Sequence, residues 1–157
     1  MFRKFGPGEK ANIDPMRDLS SHFGHPHRKF KSIHVTGTNG KGTVCIKTAK
    51  VLQNAGFKTG LFISPHICTF RERVTINDEK ISQEEIVRYA QQVFDAIEEK
   101  NLSVTYFEIV TMIAFLQFAE KQVDYAVLEC GMGGRLDATN IIEDPLCCAI
   151  TSIGYDH

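Results

Sequence analysis

The stretch Ile33 to Thr43, IHVTGTNGKGT, constrains this chain more than any other. A short apolar run enters a glycine-rich turn, then a lysine, then a hydroxyl residue that opens a helical pattern. Strand, turn and helix in that order aim backbone N–H groups and a helix N-terminus at one point, where a polyphosphate is favoured. Lys41 adds a point charge. The spacing departs from the common G-x-x-x-x-G-K-[ST] loop. Gly37 and Gly40 are three residues apart, and Gly42 separates Lys41 from Thr43.

Around this loop the pattern alternates between strand and helix. Thr43 to Ala55 reads as a helix with Val44, Thr48, Val51, Leu52 and Ala55 on one stripe and Gly56 as its stop. Thr59 to Ile63 is a second strand, which predicts a βαβ unit with a parallel pair and a right-handed crossover. Upstream, Gly6, Pro7 and Gly8 mark an irregular arm, and Pro15 to Phe23 a short helix ending near Gly24 and Pro26. Downstream, Phe70 to Ile76 reads as extended and Asn77-Asp78 as a turn. Ser82 with Glu85 has capping-box spacing for a helix to about Lys100. Thr105 with Glu108 repeats it before Tyr106 to Glu120, whose all-round hydrophobicity predicts burial between other elements. Tyr125 to Leu128 and Ala149 to Ile153 are further strands. The expected fold class is α/β, an open, mostly parallel sheet with flanking helices and ligands at the strands' C-terminal ends. Residues 1–31 form an arm and short helix; residues 32–157 form the α/β unit.

Composition excludes several functions. The 157 residues are 43% hydrophobic and 24% charged, which suits one soluble domain. A formal net charge of −1 gives no reason to expect nucleic acid or an anionic membrane. The cluster Arg28, Lys29 and Lys31 fits a solvated connection. No run approaches about 18 consecutive apolar residues, so no membrane span is expected. MFRKFGPGEK lacks the apolar core of a secretory signal. Five cysteines (45, 68, 130, 147 and 148) form no C-x-x-C pair, which points to a reduced intracellular compartment. They are expected as buried small hydrophobes, Cys147 and Cys148 facing opposite sides of a strand.

Four loops at predicted strand ends carry chemistry, and open-sheet geometry gathers them around one crevice. After the phosphate loop come Ser64-Pro65-His66, the run Glu129 to Asp137, and Gly154-Tyr155-Asp156-His157. A lone acid at a strand end is usually solvated or salt-bridged. Beside a phosphate loop, Glu129 reads instead as a Mg²⁺ ligand that shares the ion with Ser64 Oγ and nucleotide phosphates. His157 reads as a metal ligand or an oriented hydrogen-bond partner, and His66 also stands at a strand end. His22, His25 and His27 read as surface or satisfied core residues, and His34 as packed. Gly131, Gly133 and Gly134, ahead of Arg135 and Asp137, suggest close approach to a ligand.

Taken together, these segments resemble the folylpolyglutamate synthase and dihydrofolate synthase family within the Mur ligase superfamily. The matching pieces are HVTGTNGKGT (34–43), KTGLFISPHI (58–67), FRERVTIND (70–78), TYFEIVT (105–111), VLECGMGGRLDATN (127–140) and ITSIGYDH (150–157), with the GHP turn at 24–26. GTNGKG alone points to the superfamily; GMGGRLDATN with SPH and RERV points to the folate branch. The resemblance implies an ATP- and Mg²⁺-dependent amide ligase that phosphorylates a carboxylate of folate or dihydropteroate and joins L-glutamate through an acyl phosphate. It implies that Asn39, Gly40, Lys41, Gly42 and Thr43 bind the ATP phosphates. Ser64 and Glu129 would ligate a first Mg²⁺ and His157 a second, with Lys41, Glu129 and His157 the catalytic set. Thr105, Tyr106, Phe107, Glu108 and Leu136 would line the pterin pocket. Tyr106 and Phe107 equally suit the start of a packed helix. Arg71 and Arg73 match RERV, with no role beyond phosphate or loop contacts.

The resemblance further implies a monomer, cytoplasmic, with mitochondrial forms sharing the same motifs. It also implies an N-terminal piece of a protein on the order of 400 residues. The bridging lysine, the rest of the sheet and the glutamate-binding domain would lie beyond His157, so the piece alone is expected to be inactive. EKANIDPMRD (9–18) fits the family's glycine-rich N-terminal loop poorly. Two alternatives stay open: another Mur-type amino-acid ligase, and a nucleotide-binding module without ligase activity. Whether dihydrofolate synthase activity accompanies the first reading is also open.

Overall fold

Adjacent residues on a strand face opposite ways, and here both faces are apolar, so both must be covered. Ala126, Val127 and Leu128 of β5 (Tyr125–Glu129) have no exposed surface. In the computed structural model, which describes residues 12–154, that strand lies inside a six-stranded sheet. The other strands are β1 (Lys31–Thr36), β2 (Thr59–Phe62), β3 (Val74–Ile76), β4 (Glu79–Lys80) and β6 (Cys147–Ile150). Their order is β4-β3-β2-β5-β1-β6. β2, β5, β1 and β6 run parallel, and β3 and β4 add an antiparallel edge. The helices are α1 (Asp14–His22), α2 (Lys41–Asn54), α3 (Gln83–Glu99) and α4 (Tyr106–Glu120).

The two faces bury separate cores. Phe62, Val74, Ala126 and Leu128 pack with Met16 and Leu19 of α1, Tyr89 and Val93 of α3, and the apolar wall of α4. On the opposite face Val35, Leu61 and Val127 pack with Cys45 and Ala49 of α2. The capping boxes expected from sequence form as read. Ser82 Oγ accepts from Glu85 N at 3.0 Å, and Thr105 Oγ1 from Glu108 N at 3.2 Å. α4 is buried nearly all round, as its composition requires.

Several expectations are corrected. β1 and β2 are parallel but not neighbours, because β5 occupies the place between them. Phe70–Arg73 is not extended; it winds into a 3₁₀ turn, with Thr69 and Glu72 forming a third capping box. Extended structure starts only at Val74 and passes through a tight hairpin in which Asn77 and Asp78 both have positive φ. In α2 Val44 and Leu52 of the expected stripe pack on the core beside buried Cys45 and Ala49, whereas Val51 is 68% exposed. Cys45 and Cys130 are buried, but Cys68, Cys147 and Cys148 are exposed. The last two lie on β6, which pairs only with β1 among the described residues and is exposed along most of its length. The expected irregular arm around Gly6 to Gly8 lies outside the described residues, as do Tyr155, Asp156 and His157.

Candidate active site

The phosphate loop leaves β1 and is pinned from the β6 side. Thr38 N donates to Ser152 O at 2.7 Å, Asn39 N to Ser152 Oγ at 3.2 Å, and Thr151 N to Thr36 O at 2.9 Å. Gly37 (φ 130°) abuts Thr151 so closely that a Cβ there would overlap its hydroxyl. Gly40 (φ 86°) is the N-cap of α2, in a left-handed conformation that suits glycine. Asn39 and Thr43 are exposed, Gly42 is half-buried, and all stand at the N-terminus of α2. Lys41 Nζ donates to the carbonyls of Gly37 (2.9 Å) and Thr38 (3.0 Å), so its ammonium lies over the loop it follows.

Glu129 ends β5 opposite Val35 and is 4% exposed. Its Oε2 accepts from Ser64 N at 2.9 Å. Burial pushes its pKa up, against the lowering effects of Ser64 N–H, Lys41 and Gly42 N–H. A buried carboxylate held by the Ser64 N–H next to a phosphate loop is a fitting hard-oxygen seat for Mg²⁺, which uses few protein ligands and keeps waters and phosphates as the rest. Among the described residues no three His, Cys, Asp or Glu cluster as for a softer metal.

Two cavities meet at this end of the sheet. One, of about 520 Å³, is lined by Thr36, Gly37, Thr38, Lys41, Cys130 and Ile150 among others. The second, of about 380 Å³, is lined by Ser64, Arg73, Thr105, Phe107, Glu108, Leu136 and Asp137 among others. Gly131 and Met132 line both. The structure thus brings Thr105, Phe107, Glu108 and Leu136 together in the second cavity. Tyr106 is 45% exposed and does not line it. Phe107 packs so tightly on Gly131 that a Cβ there would lie 2.6 Å from its ring. Glu108 Oε2 accepts from Thr105 N at 2.5 Å, which fixes the mouth of the cavity to the start of α4.

Local spacing did not reveal what holds the glycine-rich run. Buried Asp137 accepts from Met132 N (2.8 Å), Thr139 N (3.0 Å) and Thr139 Oγ1 (2.5 Å). Thr139 Oγ1 also meets His34 Nε2 at 2.7 Å, and Cys130 Sγ meets the same nitrogen at 2.9 Å. With the threonine proton on Asp137, the imidazole proton sits on Nε2 toward Thr139. Burial lowers the His34 pKa and raises that of Cys130 to about 11, so both stay neutral. Thr36 Oγ1 donates to Gly133 O at 2.5 Å, tying the run to β1. Arg71 binds the carbonyl of Ile81 (2.5 Å) and serves the loop, whereas Arg73 Nε donates to His66 Nδ1 at 2.8 Å and faces the second cavity. The RERV motif was the available signal for Arg73, and pairing with His66 gives it a place.

Comparison with known proteins places this geometry. Residues 35–157 match the Mur ligase middle domain. The chain belongs to the Mur ligase middle-domain family. This Mur ligase segment is 43% identical over 155 residues to the dihydrofolate synthase/folylpolyglutamate synthase of Bacillus subtilis, covering 96% of this chain and 36% of that protein. Its fold is similar to the crystal structure of a Thermotoga maritima folylpolyglutamate synthase, with a TM-score of 0.88, 43% identity, and coverage of 93% and 35%. It is also similar to a Mycobacterium tuberculosis folylpolyglutamate synthase complexed with ADP, with a TM-score of 0.86, 34% identity, and coverage of 92% and 34%. The Mur ligase segment therefore spans about a third of the relatives it matches.

Proposed function

We propose that this segment supplies the ATP site and the pterin-acid site of an ATP-dependent ligase that adds L-glutamate to folate. The observation that carries this is the meeting of the two cavities at Gly131 and Met132, one fronted by the phosphate loop, the other by Phe107 and Leu136. Similarity to folylpolyglutamate synthases, one of them complexed with ADP, supports the substrate assignment. The segment spans about a third of these relatives, and the ligase activity is proposed for the whole protein. Dihydropteroate would use the same cavity as folate.

Chemically, Gly40 and Thr43 present N–H groups at the N-terminus of α2, where phosphate oxygens are favoured, while the N–H groups of Asn39 and Gly42 hold the loop to Ser152 and Glu129. On nucleotide binding Lys41 exchanges two loop carbonyls for phosphate, a stronger charge-assisted partner. Ser64 and Glu129 would hold Mg²⁺, which neutralises charge on the transferring phosphoryl group. Phe107 offers an aromatic face to a flat heterocycle, and Leu136 adds an apolar side chain to the lining of the same cavity. Holding the carboxylate beside the γ-phosphate supplies proximity, and the acyl phosphate that forms is attacked by the glutamate amine with loss of phosphate. A reducing intracellular compartment suits the exposed, unpaired Cys68, Cys147 and Cys148.

The test is a substrate panel with radiolabelled glutamate and the natural full-length protein. Labelled folate product that requires ATP is expected. Transfer to a cell-wall-type precursor and not to folate would replace the folate reading with another Mur-type ligase.

A further inference from the structure

Arg73 is 9% exposed, yet no ion pair among the described residues includes it. The two carboxylates that line its cavity are committed elsewhere. Glu108 accepts from Thr105 N, and Asp137 from Met132 N and Thr139. The residue is mostly buried while its terminal amino groups open on the cavity, so an anion that enters the cavity meets an uncommitted, partly desolvated cation. Its orientation is nonetheless fixed. Arginine can only donate, so the 2.8 Å contact from Nε makes His66 Nδ1 the acceptor and locks the guanidinium plane. The backbone is fixed too, because Arg73 O accepts from Ile63 N at 3.0 Å, directly before Ser64. The two terminal amino groups then have no acceptor among the described residues, in a cavity that Ser64 and Phe107 also line.

We propose that Arg73, oriented by His66, is the receptor for a carboxylate of the pterin-bearing substrate. This rests on the folate reading of the second cavity. The planar fork of arginine matches a carboxylate with two parallel hydrogen bonds, which a lysine cannot reproduce. The carboxylate has two sources: the one that is phosphorylated, or a neighbouring one that only anchors the substrate.

Equilibrium binding to the full-length protein separates these. The probes are pteroate (one carboxylate), folate (two) and the neutral amide of pteroate. Arg73→Gln is expected to weaken folate at least tenfold and leave the neutral amide and an ATP analogue within twofold. Arg73→Lys, which keeps a charge in place and guards against a folding failure, is expected to fall between. A matching loss for pteroate identifies the reacting carboxylate; a loss confined to folate identifies the anchoring one. Equal loss for the acids and the amide, or no loss at all, overturns the proposal. Turnover is measured separately. A protein that binds folate through Arg73 yet forms no amide refutes the ligase reading and leaves the carboxylate receptor standing. Turnover with unchanged folate affinity and KM in Arg73→Gln refutes the receptor alone.

Discussion

Gly37 is where the phosphate loop touches the segment after β6, and it has no room for a side chain. Its φ of 130° is a second reason that only glycine fits. Gly37→Ala should therefore push the loop off Thr151 and weaken nucleotide binding by roughly tenfold or more, about 1.4 kcal/mol. Titration calorimetry with a non-hydrolysable ATP analogue reads this directly, and unchanged affinity would show that the loop does not need its contact with β6. Lys41→Ala removes charge-assisted contacts, each worth about 1.5–3 kcal/mol, so a ten- to hundredfold loss is expected in the same experiment. Lys41, Ser64 and Glu129 could be picked out from strand-end position and motif. The Asp137–Thr139–His34 chain could not be assigned, because His34 and Thr139 lie 105 positions apart, whereas Arg73 carried a motif signal but no partner until the fold set it against His66.

At the level of elements, α4 links stability to the site. Thr105 caps the helix and also lines the second cavity. Thr105→Ala should cost about 1 kcal/mol in denaturant unfolding, while Thr105→Ser retains most of the cap. Equal stability of wild type and Thr105→Ala would mean that water replaces the cap without loss. Both long helices were legible because capping boxes and burial leave local marks. The Thr69–Glu72 box carried the same signal, but the apolar and charged alternation of Phe70 to Ile76 favoured an extended reading. Cys147 and Cys148 were misread for a different reason. Residue type gives the tendency to be buried, whereas β6 stands at the end of the strand order among the described residues and leaves both thiols exposed. The insertion of β5 between β1 and β2 is likewise a long-range outcome that no window of sequence contains.

Across the whole molecule, the sheet separates the end that carries the glycine-rich loops from a core that tolerates little charge. His27 is 6% exposed, and its Nε2 has no partner among the described residues. Burial, the largest influence, lowers its pKa from 6.5 to about 4. Between those values the unfolded chain takes up a proton that the folded chain refuses, so stability falls as pH falls through this window and the difference stops growing below about 4. Wild type should lose about 1 kcal/mol more than His27→Gln between pH of about 7.5 and about 5.5 in urea unfolding. Identical pH slopes would show that His27 is not held neutral by the fold. The central claim concerns both cavities at once, and coupled ADP release by the full-length protein tests it most directly. ADP formation should require folate, its steady release over many turnovers should require L-glutamate as well, and both should disappear in Lys41→Ala. ADP release at the same rate without folate, or none with all three substrates, would contradict the account.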